Sequence, residues 1–364
     1  MCDLDLDPGL EGRHPWTGVS VLTRAAGTAG QQLPHRSRPP LPLDMSTGII
    51  QGGEWGQSGG GVRVPGQGKA GIMCRLFGLH AGLDRAKATF WLLEAPNSLS
   101  LQSHYEPDGT GIGTFDAREK AMVNKQPLTA WQDREFAAEA RRLESTTFLA
   151  HVRYASTGGH TRVNTHPFEQ DNRLFAHNGV LGGMAMLEDR LASVGTRDLV
   201  QGQTDSERMF ALVTAEIRRA DGDVAAGITA AVNWIAQHLP VYSLNFILTT
   251  ATDLWALRYP ETHELYVLDR PPGPVADAEP LVAHSRRIRA HSRQLATRRV
   301  VIVATEIMTA HPDWRLLEPG ELLHVNQDLA IGSNLSFAQP PRRKIRLEQL
   351  GAAAAASQHP QVPA

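Results

Sequence analysis

Cys74 follows Met73 directly, and this pair is the strongest chemical signal in the chain. If the protein starts at Met73 and the methionine is removed, one residue carries both a thiol and a free α-amine. An α-amino group has a reference pKa of about 7.7–8.0, so near neutral pH it can take the thiol proton and return it to a leaving amine. A nucleophile that carries its own base needs no histidine. The bland alternative is that a lone cysteine in an apolar strand simply fills a core. Cys2 offers the same Met-Cys start, but Asp3, Asp5 and Asp7 would raise its thiol pKa.

Three further clusters could serve such a nucleophile. In His151-Val-Arg-Tyr-Ala-Ser-Thr-Gly158 an arginine ends an apolar run before a turn of small residues. There Arg153 could offer its planar fork to a carboxylate, or act as an ordinary ion-pair partner. In His177-Asn178-Gly179 a strand runs into Asn-Gly, which reads equally well as a hairpin turn. An Asn amide and the next backbone N–H could instead converge on a carbonyl oxygen that becomes negative during acyl transfer. Thr204-Asp-Ser-Glu207 has the pattern of a capping box opening a helix. Asp205 then either complements the helix dipole or holds an ammonium group. The spacings of His151, His160, His166 and His177 match no compact ligand pair, so neither a metal nor another cofactor is expected.

The elements that must position these residues begin abruptly. Residues 1–72 hold 15 of the 33 glycines and 7 of the 23 prolines, without a sustained period of 2 or 3.6. Such a segment buries too little apolar surface to offset its chain entropy, so a disordered extension is expected there. From residue 73 onward, strand-like runs at 148–154, 174–177, 242–250, 254–259, 264–268, 300–305 and 321–325 come in clusters. Helix-like runs fall at 85–94, 133–143, 184–192, 205–219 and 224–238, often in consecutive pairs. That order argues against a regular βαβ repeat and for an α+β layered fold with antiparallel sheets. The domain is expected to span 73–325, with 326–364 as a mobile C-terminal tail.

Charge and composition exclude several partners. Lys plus Arg number 36 and Asp plus Glu 38, so no basic excess suits nucleic acid or an anionic membrane. Two cysteines cannot make a disulfide scaffold, and no run approaches the roughly 18 apolar residues of a membrane span. A cytoplasmic protein is expected, since the acidic start does not resemble a secretory signal.

Taken in order, Met73-Cys74-Arg75, Asp108-Gly-Thr-Gly111, His151-Val-Arg153, Asn164-Thr-His-Pro-Phe168, His177-Asn-Gly179 and Thr204-Asp-Ser-Glu207 resemble the class II glutamine amidotransferases. The likeness continues through Ala304-Thr-Glu306 and Trp314, and is nearest to the stand-alone bacterial branch that includes ergothioneine-pathway γ-glutamyl hydrolases. The resemblance implies a four-layer αββα sandwich, with two antiparallel sheets between helix layers, of the N-terminal-nucleophile hydrolase type. It implies that Cys74 attacks the γ-carbonyl of glutamine or a γ-glutamyl amide, its α-amine moves the proton, and a γ-glutamyl thioester forms that water releases as glutamate. Asn178 and Gly179 would form the oxyanion hole. Arg153 would grip the substrate α-carboxylate and Asp205 the α-ammonium, with Tyr154, Ser156 and His177 also lining the substrate site. A synthase subunit is a possible partner on the same grounds.

Tyr154 and Thr157 stand where glutamine-dependent synthases carry Trp and His, and Thr110 where many stand-alone members carry Trp. The largest departure is the 72 residues before Met73, because a peptide bond on the Cys74 nitrogen removes the base; the functional protein is therefore expected to lack them. Two other readings stay open: a conventional peptidase pairing Cys74 with His177, and a non-catalytic γ-glutamyl-binding or partner subunit.

Overall fold

The computed structural model describes residues 74–105, 108–154, 158–273 and 297–358. The extension 1–72, Met73 and Ser156 lie outside these described residues. In chain order the strands are β1 (Arg75–His80), β2 (Gly109–Phe115), β3 (Ala121–Gln126), β4 (Thr147–Arg153), β5 (Phe168–Gln170), β6 (Arg173–Leu181) and β7 (Pro240–Thr249). They continue with β8 (Leu254–Arg258), β9 (Tyr266–Arg270), β10 (Val300–Ala304), β11 (Arg315–Leu316), β12 (Glu321–Val325), β13 (Ile331–Leu335) and β14 (Arg343–Lys344). The helices are α1 (Leu99–Gln102), α2 (Arg134–Arg142), α3 (Met184–Val194), α4 (Asp205–Arg219), α5 (Val224–His238) and α6 (Ala352–Ala356).

Two sheets result, ordered β11-β9-β10-β1-β4-β2-β3 and β13-β12-β8-β7-β6-β5. Every pairing along both paths is antiparallel. Alternation along the strands divides the apolar residues into three cores. Phe77, Phe148 and Val152 pack beneath Trp91 and α2's Phe136, on the outer face of the first sheet. Phe175, Phe246 and Leu248 pack with Phe210, Val213 and Ile228 of α4 and α5, outside the second. Leu76, Leu149, Leu174, Ala176, Ile247 and Val303 fill the gap between the sheets. The architecture is therefore helices, sheet, sheet, helices, as the α+β expectation requires.

The long helices follow their sequence signals. Asp133, Thr204 and Asp223 each cap a helix, accepting backbone N–H groups with their side chains. Of the expected capping box only half forms, because Glu207 Oε2 accepts from Gly202 N at 2.6 Å rather than from Thr204. The helix expected over 85–94 is reduced to one π-helical turn at Phe90–Glu94. Ala86 exchanges both backbone hydrogen bonds with Ser145, at 2.9 and 3.0 Å, and so cannot join a helix.

β2 was hidden from the pattern by glycine, yet glycine is what it requires. A Cβ on Gly111 would lie 2.2 Å from the carbonyl oxygen of His166, and one on Gly113 2.7 Å from Leu174 Cδ1. Gly227 plays the same part between helices, where an added Cβ would come within 2.5 Å of the Ile217 backbone nitrogen. Gly→Ala inside a helix ordinarily stabilises by about 0.5–1 kcal/mol. Here overpacking reverses the sign: Gly227→Ala is expected to destabilise by about 1–3 kcal/mol. Thermal unfolding checks this, and an unchanged or raised Tm would contradict the close α4–α5 contact.

The C-terminal expectation needs correction. Residues 326–358 are not a loose tail: β13 pairs with β12, and β14 runs parallel to the start of β7. Ala354 of α6, with Ile345, Leu347 and Leu350, packs on Val180 and Tyr242. These apolar residues follow no single period, so the sequence conceals that they share one docking surface. Residues 359–364 lie outside the described residues.

Candidate active site

β1 begins one residue after Cys74, and its register against β4 sets Arg75 opposite Val152. Cys74 therefore sits where β4 ends in Arg153. Alternation fixes where the side chains point. Leu76 belongs to the inter-sheet core, as do Leu149, Leu174 and Ala176. Two residues on, the same face carries Cys74 in one direction, and His151, Arg153 and Asn178 in the other. Four residues from three strands thus face one end of the gap between the sheets.

Cys74 is 7% exposed. The backbone N–H of Tyr154 donates to its sulfur at 3.2 Å, and the thiol reaches the Tyr154 carbonyl at 3.2 Å. Tyr154 serves the site here through its backbone, and its side chain is half-buried. Arg153 is buried and donates to the carbonyls of Gly158 and Gly159. Burial pulls its guanidinium below its ordinary value, while Cys74, Asp108 and Asp205 oppose that shift.

Asn178 and Gly179 do not form a hairpin turn. They lie inside β6, paired with Asn245 and Leu244 of β7. Asn178 is fully buried, and neither its Nδ2 nor its Oδ1 has a hydrogen-bond partner among the described residues. An unpaired buried amide costs roughly 1–3 kcal/mol. A Cβ on Gly179 would fall 2.0 Å from the Ser243 carbonyl oxygen, so only glycine permits this strand pairing.

Asp205 opens α4 and is buried. Its Oδ2 accepts from Leu181 N at 2.9 Å and its Oδ1 from Ser206 N at 3.0 Å. The carboxylate thus ties the helix N-terminus to the end of β6, rather than only complementing the dipole. Asn164 ties the nearby loops: its Nδ2 donates to the Gly159 carbonyl at 3.1 Å and its Oδ1 accepts from Gln203 N at 2.8 Å. Sequence reasoning quoted Asn164 without assigning it this bracing part.

His177 departs from the expected substrate-lining position. It shares the helix-facing side of β6 with Phe175, opposite to Asn178. Its Nδ1 lies 2.9 Å from Ser206 Oγ and its Nε2 3.1 Å from the Ser243 carbonyl. A carbonyl can only accept, so Nε2 carries the proton and Nδ1 accepts from the hydroxyl. Both nitrogens are occupied and face away from Cys74. The same facts remove the geometric basis for a Cys74–His177 peptidase pair.

Beside Arg153, the rings of His151 and His166 lie 4.2 Å apart, and both are buried. Burial pushes His151 down to about 3 and holds His166 well below its ordinary value; Arg153 and the neighbouring histidines add to both shifts. No group of three or more His, Cys, Asp or Glu able to hold a metal ion occurs among the described residues. Period-2 spacing from Arg153 was the sequence signal that could have placed His151 here.

Buried neutral histidines make stability depend on pH. His151, His177 and His263, the last pushed down to about 4, all have folded pKa values below the unfolded 6.5. The unfolded chain therefore binds protons that the folded chain does not, and stability falls as pH drops below about 6.5. For His151 and His263 the loss is on the order of 1.4 kcal/mol per pH unit each. Tm is expected to fall steadily between pH 7 and 5, where few carboxylates titrate. A flat profile over that range would contradict neutral burial.

No helix among the described residues is long and apolar enough to cross a membrane. Comparison with known proteins agrees with the architecture. The chain is 28% identical over 257 residues to an uncharacterized protein of Methanocaldococcus jannaschii, covering 65% of this chain and 66% of that one. It is 28% identical over 156 residues to the glutamine–fructose-6-phosphate aminotransferase (isomerizing) of Idiomarina loihiensis, covering 43% of this chain but 24% of that enzyme. The chain thus spans just under two thirds of the first relative and about a quarter of the second. The solved glutamine phosphoribosylpyrophosphate amidotransferase of B. subtilis superposes with a TM-score of 0.52 at 21% identity, over 73% of this chain and 50% of that one. This last likeness shows the fold alone, the N-terminal-nucleophile type of sandwich. The family described as class-II glutamine amidotransferases matches residues 73–345. With three quarters of its length so matched, this chain belongs to the class-II glutamine amidotransferases.

Proposed function

We propose that this protein hydrolyses the γ-amide of glutamine or of a γ-glutamyl compound, using Cys74 as its first residue. What supports the reading is that Cys74, Arg153 and Asn178 face one end of the inter-sheet gap by strand alternation, with Cys74 and Asp205 close enough to influence Arg153. Arg153 takes the substrate α-carboxylate and Asp205 its α-ammonium, which fixes the γ-carbonyl next to Cys74. The α-amine accepts the thiol proton as sulfur attacks. The carbonyl oxygen becomes negative and is received by the Asn178 amide and the Gly179 N–H. The amine returns the proton to the leaving nitrogen, a γ-glutamyl thioester remains, and water attacks it to release glutamate. Residues 73 and before are removed for this chemistry, because an acylated Cys74 nitrogen cannot act as a base. His177 acts indirectly, by bridging β6, Ser206 and Ser243.

The test is recognition of both charges at the glutamyl end. Glutamate release is expected from L-glutamine and from γ-glutamyl amides, and loss is expected when the α-amine is acetylated or the α-carboxylate amidated. Turnover indifferent to both caps would exclude these roles for Arg153 and Asp205. Binding of glutamine with no product from a chain beginning at Cys74 would favour the non-catalytic binding subunit. Transfer of the released nitrogen to an acceptor on a synthase partner would extend the same chemistry.

A further inference from the structure

We infer that the C-terminal segment 345–358 is a clamp that positions the strand carrying Asn178 and Gly179. This inference rests on the oxyanion role proposed for those two residues. The family match ends at residue 345, whereas the packed chain continues to 358, so most of the segment belongs to this chain and not to the matched family region.

Three observations converge on β6. First, its pairing with β7 is regular through Val180↔Ser243 and then shifts register between Val180 and Leu181. Such an irregularity interrupts the ladder immediately after the Asn178-Gly179 pair. Second, the Asn178 amide has no partner of its own, so its aim depends entirely on where the strand is held. Third, the C-terminal segment grips the residues that bracket this spot. Ala354, Ile345, Leu347 and Leu350 pack on Val180, one residue beyond Gly179, and on Tyr242, one residue before Ser243. Ser243 in turn donates through Oγ to the Asn178 carbonyl at 3.2 Å.

The segment is fastened at both ends. Ile345 N donates to the Val241 carbonyl at 2.9 Å. At the far end Gln358 is buried and its Oε1 lies 2.5 Å from His263 Nε2, and His263 packs edge-on against Tyr242. α6 is built of alanines, which lets its backbone come close to Val180 without bulk between. Of the two groups that hold the glutamyl end in the proposed function, Arg153 ends β4 in the other sheet, while Asp205 accepts from Leu181 N at the end of β6. Loosening the segment should therefore act mainly on the oxyanion residues, with a smaller effect on the glutamyl end through Leu181 and Asp205.

Two variants test this: a chain ending at Ile345, and Ala354→Asp in the full-length C-terminus, with Ala354→Ser as the conservative control. Both disruptive variants are expected to lower kcat for glutamine by about 10- to 100-fold, with a smaller change in KM, since small misplacements of catalytic groups have effects of that order. Ala354→Ser should restore kcat. Amide hydrogen exchange supplies a readout independent of turnover: protection at 179–181 and 241–243 should drop while β1 and β4 stay protected. Unchanged kcat in a folded truncated chain, a rise in KM alone, or unchanged exchange at 179–181 would each overturn the clamp. If the parent itself releases no glutamate, the proposed function fails, and the exchange experiment still decides whether the segment holds the strand.

Discussion

Cys74→Ala is expected to reduce glutamate release by at least about 10⁴-fold while leaving the fold intact. Losses of that order follow removal of a nucleophile, because the residual rate rests on binding and oxyanion stabilisation alone. The substitution removes one sulfur from a site that is 7% exposed, where the sulfur accepts from Tyr154 N and the thiol reaches the Tyr154 carbonyl. Tm should therefore change by no more than a few degrees. A chain that keeps any residue before Cys74 is expected to be equally inactive, although its thiol is untouched, because the α-amine has become an amide. The two results together separate a self-based nucleophile from a conventional pair. If the extended chain works as well as one beginning at Cys74, a different base must serve the thiol. His177 is poorly placed for that duty, with Nδ1 engaged by Ser206 and Nε2 by the Ser243 carbonyl.

The second large effect is expected at Asn178. Asn178→Ala should lower kcat by about 10²–10³-fold, the usual loss for one oxyanion donor, with KM nearly unchanged because the charged end of the substrate is held elsewhere. Stability should move in the opposite sense. The amide is buried with both polar atoms unpartnered among the described residues, so removing it relieves a desolvation cost and Tm should stay level or rise slightly. A variant that is as stable as the parent and nearly inactive is the signature of a polar group kept for function. Steady-state kinetics with thermal unfolding of the same sample measures both. A kcat within about threefold of the parent would remove Asn178 from the oxyanion role, and a large fall in Tm would show that its amide has a structural partner in solution.

Much of this was legible in the sequence because it is local. The helices at 205–219 and 224–238 have the same bounds in the structure, since cap and apolar period lie within one window of chain. The strand ending at Arg153 was visible for the same reason. Elements governed by distant contacts were not legible. β2 is rich in glycine because the His166 carbonyl and Leu174 lie against it, and neither is near in sequence. Asn178-Gly179 has the local signature of a turn, yet its pairing with β7 holds it extended within β6. The C-terminal segment has no period because its anchors, Val180, Tyr242 and His263, are scattered along the chain.

The sequence by itself determined the family, the layered α+β class and the residue types of the site, because motif order and periodicity survive without coordinates. Only the tertiary structure decided which of those residues face one another. Strand alternation turns Cys74, Arg153 and Asn178 into the inter-sheet gap and turns His177, one residue from Asn178, toward α4. A side chain's facing is set by the parity of its strand and by what packs on each side, and the packing exists only once both sheets are assembled.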